Sequence, residues 1–341
     1  MFTTVFLACA DDGIGRVDTS MLSQQSLMEL FIFGLDEVED ICGSRDEPSE
    51  VCTWTGVTCN ADGEVEKFRW ATNFDYGSGT ISLEFLPCSM KNLNMSCNTL
   101  VGMIEIAKLP DNMEYLNVGH NKLNGPVNLD DLPMSMKHVF LSTNTLTGKI
   151  ALEHLPECLE SLHLPSNQFS STICLTALPW ALTTLFLNNN AFEGSLDLTR
   201  LPESLCIVEL GHNSFSGEID IRHLPGKMIE LGAQNNRLRG CLCLTSLPPE
   251  FRRLTLNQNT FEGSLDLTRL PETLESLHLS DNSFSGEIDV SHLPESLTYF
   301  DVRNNRLCGT VRTLPGVFCV DRFTRSNRLF DGNPDLTIDP Q

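Results

Sequence analysis

The sequence predicts a mainly β solenoid of the α/β type, in which short parallel strands stack coil upon coil. Three observations predict it. Two leucines in each unit alternate with polar residues, as in a strand with one buried face. An asparagine recurs at a constant step of 23 residues. The dipeptide Leu-Pro keeps the same step, at positions 86, 109, 132, 155, 178, 201, 224, 247, 270 and 293. Ten copies without an insertion are typical of a repeat protein.

The unit that begins at Leu270, LPETLESLHLSDNSFSGEIDVSH, represents the others. Its residues Leu274, Leu277, Leu279, Asn282 and Phe284 spell LxxLxLxxNxF. This string resembles the leucine-rich-repeat signature, and residues 86–313 are accordingly identified as ten 23-residue repeats. The resemblance implies a curved superhelix with a parallel β-sheet on its concave side. The proline of each unit fixes φ and removes a hydrogen-bond donor, which indicates a mostly non-helical convex side.

The repeated asparagine is expected to join each coil to the next. Its amide can bond backbone groups of its own coil and of the adjacent one, so that stacking produces a ladder. A glycine that follows the asparagine indicates backbone with positive φ; Ser171 is the exception. In contrast, Gly232 and Ala233 replace bulky strand residues and predict a locally soft coil. The predicted ladder consists of Asn98, Asn121, Asn144, Asn167, Asn190, Asn213, Asn236, Asn259, Asn282 and Asn305.

The segments outside the repeats are predicted to be caps. Residues 11–85 form the expected N-terminal cap, with an amphipathic helix within 18–41 and the string CTWTGVTC at 52–59. This cap resembles that of plant-type leucine-rich-repeat ectodomains, and leucine-rich-repeat surface antigens of kinetoplastid protists share it. Residues 314–341 form the expected C-terminal cap and tail, whose Gly-Asn-Pro is like the ending of plant-type members. Residues 1–10 resemble a truncated secretory signal that lacks its basic region.

Thirteen cysteines bear on the compartment. The disulfide candidates lie in the caps: Cys52, Cys59, Cys308 and Cys319. Cys174 and Cys243 occupy one repeat position three coils apart, about 14 Å at the spacing of parallel strands, which is too far for a disulfide. Cap disulfides favour an extracellular or cell-surface protein. A cytoplasmic location stays open because the signal segment is incomplete.

The composition limits the classes of partner. A net charge of −22 argues against nucleic acid and anionic membranes, whereas it suits a basic partner or simple solubility. No apolar run approaches the roughly 20 residues of a membrane span. We therefore expect a protein or glycan ligand, no cofactor and no membrane span in this chain, and a monomer.

An internal duplication indicates the working face. Residues 155–225 and 224–294 are related by a shift of 69, and 25 of 33 positions from each turn to the next Leu-Pro are identical. Only 2 of 15 positions expected to face outward along the strand and its exit are identical. We interpret the concave strand face as the part that changed on a fixed frame. Uneven gene conversion is the alternative explanation.

Aromatic and charged residues at outward strand positions are the candidate ligand-binding residues, because aromatic residues and arginine dominate binding interfaces. Arg252 and Arg306 would extend a basic patch near the C-terminal end. His138 and His163 would need a third ligand to bind a metal, so no metal site is predicted. The predicted concave-face site comprises Tyr115, His138, Phe140, His163, Phe186, Arg253, His278, Tyr299 and Arg303.

These features predict a non-catalytic recognition or scaffold protein that binds a protein or glycan through its concave face. No catalytic motif was found in the sequence. One alternative is an inhibitor of an extracellular hydrolase, since ten plant-type repeats between two caps resemble polygalacturonase-inhibiting proteins. Another is a structural surface protein or decoy antigen without a fixed ligand.

Overall fold

Two sheets of 12 strands run along the solenoid in the computed structural model, which describes residues 21–72, 77–312 and 330–339. Each repeat contributes one strand to each sheet because the chain passes through the same two extended segments every 23 residues. The predicted leucine-rich-repeat solenoid is confirmed.

The first, concave sheet contains the leucine-bearing strands. Its neighbouring strands are parallel and in register, as in Ser161 opposite Thr184, except that β1 pairs antiparallel with β2. The strands are β1 (Val57–Cys59), β2 (Val65–Arg69), β4 (Asn92–Asn94), β6 (Tyr115–Asn117), β8 (His138–Phe140), β10 (Ser161–His163), β12 (Thr184–Phe186), β14 (Ile207–Glu209), β16 (Glu230–Gly232), β18 (Arg253–Thr255), β20 (Ser276–His278) and β22 (Tyr299–Asp301).

The second sheet lies after the asparagine of each repeat, and its strands are also parallel. They are β3 (Ser78–Gly79), β5 (Thr99–Met103), β7 (Lys122–Pro126), β9 (Thr145–Lys149), β11 (Gln168–Thr172), β13 (Ala191–Gly194), β15 (Ser214–Glu218), β17 (Arg237–Gly240), β19 (Thr260–Gly263), β21 (Ser283–Glu287), β23 (Arg306–Arg312) and β24 (Asp335–Asp339).

The second strand of each coil is short. In the unit that begins at Leu270, β21 ends at Glu287, and Ile288 and Val290 are buried beyond its end. The Asp289 carboxylate accepts a hydrogen bond from the Ser291 amide at 2.9 Å. This local turn diverts the backbone from the sheet, so pairing stops before Ile288.

The core between the sheets is filled by side chains that stack in rows along the solenoid. Leu277 and its equivalents are fully buried. Behind them Phe169, Phe192 and Phe215 stack with ring centroids 6.5 Å and 6.2 Å apart. No single coil encloses these rows, so each coil depends on its neighbours for burial of apolar surface.

The asparagine ladder runs through all ten predicted positions. In Asn282, Nδ2 donates to the carbonyls of Leu256 in the preceding coil and Leu279 in its own, at 3.0 and 3.2 Å. Its Oδ1 accepts from the Phe261 amide at 3.0 Å. Asn333 repeats this pattern in the C-terminal segment, with Nδ2 donating to the carbonyls of Val302 and Phe330. The ladder therefore extends one coil beyond the ten predicted asparagines.

The N-terminal cap closes the first coil. Helix α1 (Gln24–Ile32) begins at the N-cap Ser23, whose side chain accepts from the Ser26 amide. Trp54 is 3% exposed and donates to the Ser49 carbonyl. Short helical segments complete the described elements: α2 (Glu39–Cys42) and the 3₁₀ turns Val51–Thr53, Leu83–Phe85, Ile106–Lys108, Leu129–Asp131 and Leu244–Ser246. None of the described helices is long and apolar enough to cross a membrane.

The cysteines of the described residues divide into one bonded pair and free thiols. Cys52 and Cys59 form a disulfide across a Cα separation of 5.7 Å. Cys308 is a free thiol within the described part of the chain. It lies within the paired strand β23, opposite Asp335 of β24, and its suggested partner Cys319 lies outside the described residues. The predicted signal segment, residues 1–10, also lies outside them.

Candidate functional site

Five rings from four successive repeats lie together on the concave sheet: Tyr115, His138, Phe140, His163 and Phe186. We call them the aromatic cluster. Strand alternation explains this placement, because Leu116, Val139, Leu162 and Leu185 point into the core and their neighbours point outward. Each of the five side chains is only partly buried. The cluster is thus a set of large side chains on an open face.

The rings of the aromatic cluster contact one another continuously along the sheet. The Tyr115 and Phe140 centroids are 5.5 Å apart, and those of Phe140 and His163 are 4.7 Å apart in an edge-to-face arrangement. His163 and Phe186 follow at 4.3 Å. Packing between neighbours therefore orders the rings, while one side of each stays accessible to a ligand.

His163 is a neutral member of this cluster. Its Nε2 lies 3.0 Å from Oγ1 of Thr184. Burial, followed by the field of His138, lowers the pKa of His163 to about 4. At physiological pH the imidazole is uncharged, so it can pack between two phenylalanine rings without the cost of desolvating a cation.

Beside the aromatic cluster lie two carboxyl groups that the sequence-based site did not include. Glu209 follows Phe186 in register on the next strand, and Glu230 lies on the strand after that. We call these two acids the carboxyl pair. Burial and the adjacent Glu230 raise the pKa of Glu209 to about 7, against the opposing field of Arg253. The carboxyl pair therefore retains a proton near neutral pH.

Two glycines explain how these side chains fit. The Glu209 side chain lies across Gly232 of the next coil, where a Cβ would overlap its carboxylate. In the opposite direction, the Gln234 amide lies across Gly211, where a Cβ would overlap it. The space that a side chain at position 232 would take is therefore occupied by the Glu209 carboxylate. Because glycine has no side chain, the side chains of Glu209 and Gln234 can lie flat against the backbone of the sheet.

The predicted arginines are ion-paired. Arg253 Nη1 lies 3.0 Å from Glu230 Oε2. Arg303 donates bidentate hydrogen bonds to the carboxylate of the buried Asp301, from Nε at 2.9 Å and from Nη2 at 2.6 Å. Arg252 Nη1 lies 3.2 Å from Glu275 Oε1. Arg306 begins strand β23 of the second sheet. The expected basic patch is therefore divided between two sheets, and three of its four guanidinium groups are paired with acids of this chain.

His278 and Tyr299 form a separate pair toward the C-terminal end. Their rings stack with centroids 3.9 Å apart, and His278 Nε2 lies 2.7 Å from Ser276 Oγ. Burial is the main reason that the pKa of His278 is lowered. These two residues follow Glu209 and Glu230 by 69 positions. Two neighbouring positions of the concave sheet thus carry two acids, and the equivalent positions three coils further along carry two rings.

Some of the 15 duplicated positions expected to face outward do not lie on the concave sheet. The last of the five positions in each repeat, such as Gln168 and Arg237, begins a strand of the second sheet. The carboxyl pair is not part of the predicted site, because nothing in the sequence distinguishes Glu209 or Glu230 alone from a solvated surface acid. Their spacing of 21 residues, combined with a glycine 23 residues after Glu209, was the available signal.

Comparison with known families assigns the repeat. The family model "Leucine Rich Repeat" matches residues 273–292, which lie within the unit that begins at Leu270. The same spacing recurs through the whole solenoid. The chain has the fold of a leucine-rich-repeat protein. No curated protein sequence matches this leucine-rich-repeat chain.

Solved structures share its fold. The ectodomain of the Arabidopsis receptor kinase HAESA, in complex with an extended IDA peptide hormone, is 22% identical, with a TM-score of 0.58 over 77% of this chain and 49% of that chain. The plant peptide hormone receptor RGFR1 in complex with RGF2 is 24% identical, with a TM-score of 0.54 over 69% and 43%. This leucine-rich-repeat protein therefore spans about half the length of those receptor chains.

A plant ice-binding protein matches over a similar length. It is 19% identical, with a TM-score of 0.62 over 92% of this chain and 94% of that chain. At these identities the likeness establishes the shared fold of leucine-rich-repeat proteins, and function depends on the site of this chain.

Proposed function

We propose that this leucine-rich-repeat protein is a non-catalytic recognition protein that binds a protein or glycan through the concave sheet, outside the cell. The single observation that carries the proposal is the aromatic cluster. Five contacting rings on an open sheet face are an unusual apolar area for a soluble protein, and such areas mark interaction sites. Solenoids present extended concave surfaces for this purpose.

The position of the cluster supports recognition over a purely structural role. The core is already filled by the leucine and phenylalanine rows, and the aromatic cluster lies on the other face of the sheet. Removing its rings should therefore change the surface without opening a cavity. The disulfide of the N-terminal cap and the likeness to receptor ectodomains support an extracellular location.

The test uses a variant with Phe140→Ala and Phe186→Ala together. A random-peptide phage library and a glycan array are probed with the wild-type protein and with this variant. We expect retained ligands for the wild type and at least a tenfold loss of affinity in the variant, about 1.4 kcal/mol or more. Circular dichroism and melting should stay close to wild type, since the two side chains lie outside the core.

Phe33→Ala is the matched control. This phenylalanine is 70% exposed, but it lies at the end of α1 in the N-terminal cap, away from the concave sheet. Its loss should leave binding unchanged. Equal binding by the wild type and the Phe140 and Phe186 double variant would contradict the proposed function, as would the absence of any retained peptide or glycan.

A further inference from the structure

The concave sheet changes in chemical character between one strand and the next. Phe186 on β12 ends the aromatic cluster, and Glu209 lies opposite it on β14. Neighbouring parallel strands are about 4.8 Å apart. An apolar surface and an acidic surface are therefore separated by roughly the length of one or two residues of an extended polypeptide, which rises about 3.3 Å per residue.

The described residues neutralise the carboxyl pair incompletely. The guanidinium group of Arg253 donates to Glu230 at 3.0 Å, and no ion pair to Glu209 is present among these residues. Arg253 is also about half exposed, with 52% of its side chain accessible, whereas 21% of the Glu230 side chain is accessible. Two adjacent carboxyl groups that are partly buried from solvent repel one another unless a proton or a cation lies between them.

The contact with Gly232 keeps the Glu209 side chain in place. Because the side chain lies flat over Gly232, its carboxyl is held beside Glu230 instead of extending into solvent, where it would be screened. A partner cation would meet acceptors that are already oriented, which limits the entropy lost on binding. The field of the whole chain, with its net charge of −22, would draw the same kind of partner toward the sheet.

We propose that the partner of the concave sheet is a protein that presents an extended segment in which a lysine or arginine lies one or two residues from an apolar side chain. This inference rests on the proposed function and names the partner for it. The apolar side chain packs on Phe140, His163 and Phe186. The ammonium or guanidinium group donates hydrogen bonds to Glu209 and Glu230. Charge complementarity with the carboxyl pair selects a basic protein segment over a neutral glycan.

The test selects peptides from a random-peptide phage library on three proteins. They are the wild type, the variant Glu209→Gln with Glu230→Gln, and the control Glu218→Gln with Glu287→Gln. The control replaces the same number of glutamates at exposed positions of the second sheet. Peptides selected on the wild type should be enriched in lysine or arginine beside aromatic or aliphatic residues. Their affinity should fall about tenfold or more in the concave-sheet variant. In the control it should stay within about twofold of the wild-type affinity.

The outcomes separate this inference from the proposed function. Peptides that lack basic residues, yet still require Phe140 and Phe186, would overturn the inference and leave the proposed function standing. So would binding of a glycan in the array with no retained peptide. An equal loss of affinity in the concave and control variants would indicate attraction by net charge alone and overturn the role of the carboxyl pair. Because glutamine has nearly the same size as glutamate, both variants should stay folded and show a cooperative thermal unfolding transition.

Discussion

The carboxylate of Glu209 lies directly over Gly232 of the following coil, in space that any Cβ at that position would occupy. The contact joins two features that seem unrelated in the sequence, an acid on one strand and a small residue on the next. It holds Glu209 beside Glu230, so that burial and repulsion raise the pKa of Glu209 to about 7. The electrostatics of the concave sheet therefore depend on a residue without a side chain.

We predict that Glu209→Gln changes how stability depends on pH. An acid whose pKa is raised in the folded state binds more protons there than in the unfolded state, between its usual pKa of 4.5 and about 7. The free energy of unfolding of the wild type therefore falls as the pH rises through this range. At pH 8 the variant should be more stable than the wild type by on the order of 1 kcal/mol.

Thermal or denaturant unfolding between pH 5 and pH 8 checks this prediction. The two proteins should converge at pH 5, where the native carboxyl of the wild type is protonated. Glu218→Gln is the control, since that exposed carboxylate lies at the end of β15 on the second sheet. Parallel pH profiles for the wild type and Glu209→Gln would show that the carboxyl pair is not strained.

The ladder supports a second prediction, that Asn213→Ala destabilises the solenoid by about 3 kcal/mol. Its Nδ2 donates to the carbonyls of Leu187 and Leu210 at 3.1 and 3.0 Å, and its Oδ1 accepts from the Phe192 amide at 3.0 Å. Alanine would leave the Phe192 amide without this partner, and the Leu187 and Leu210 carbonyls would keep only the hydrogen bonds from Nδ2 of Asn190 and Asn236. Unfolding in urea measures the loss.

An asparagine outside the ladder is the comparison. Asn124 is exposed on strand β7 of the second sheet, and Asn124→Ala should change the free energy of unfolding by less than about 0.5 kcal/mol. Similar losses in the two variants would mean that the ladder contributes no more than an ordinary surface amide.

The sequence predicts the frame of this protein well because the frame is periodic. Asn282 and its equivalents recur at one spacing, so their shared role follows from the repeat alone. Asn333 performs the same role but follows Asn305 by 28 residues, and a fixed period of 23 does not reach it. The end of β21 at Glu287 does not follow from the repeat, because the turn at Asp289 depends on a side chain-to-backbone hydrogen bond rather than on hydrophobic alternation.

The candidate site was only partly predictable for a related reason. Tyr115, Phe140 and Phe186 stood out as large apolar residues at outward positions, and their proximity follows from the register of neighbouring repeats. The carboxyl pair depends on the direction in which two flexible side chains lie, which neither alternation nor spacing encodes. The pairing of Arg253 with Glu230 is likewise a choice among several reachable acids.

The period itself gives a third prediction. Removing residues 247–269, one complete unit, should leave a solenoid that unfolds cooperatively, because the coils on either side become neighbours with the same faces buried. Removing residues 247–266 takes out 20 residues and shifts every following leucine relative to its row. We expect that variant to lose the sharp unfolding transition measured by circular dichroism. A cooperative transition in the shorter deletion would contradict the 23-residue coil.

The last prediction concerns Ser171, which stands where the other repeats have glycine. Its φ is 125°, in a region that favours glycine, and its buried hydroxyl has no hydrogen-bond partner among the described residues. Ser171→Gly removes both the backbone strain and the unpaired hydroxyl, and it should stabilise the protein by about 1 kcal/mol. The melting temperature should rise by about 2 °C.

The reverse substitution isolates the contribution of the backbone. Gly217 has a φ of 85°, and a Cβ there would lie 3.4 Å from that of Ser195, which leaves room for a side chain. Gly217→Ser should therefore destabilise through conformation, by about 1 kcal/mol. If Ser171→Gly instead lowers the melting temperature, the serine must make a stabilising contact that outweighs its strained φ, and the glycine at the other repeats would need a different explanation.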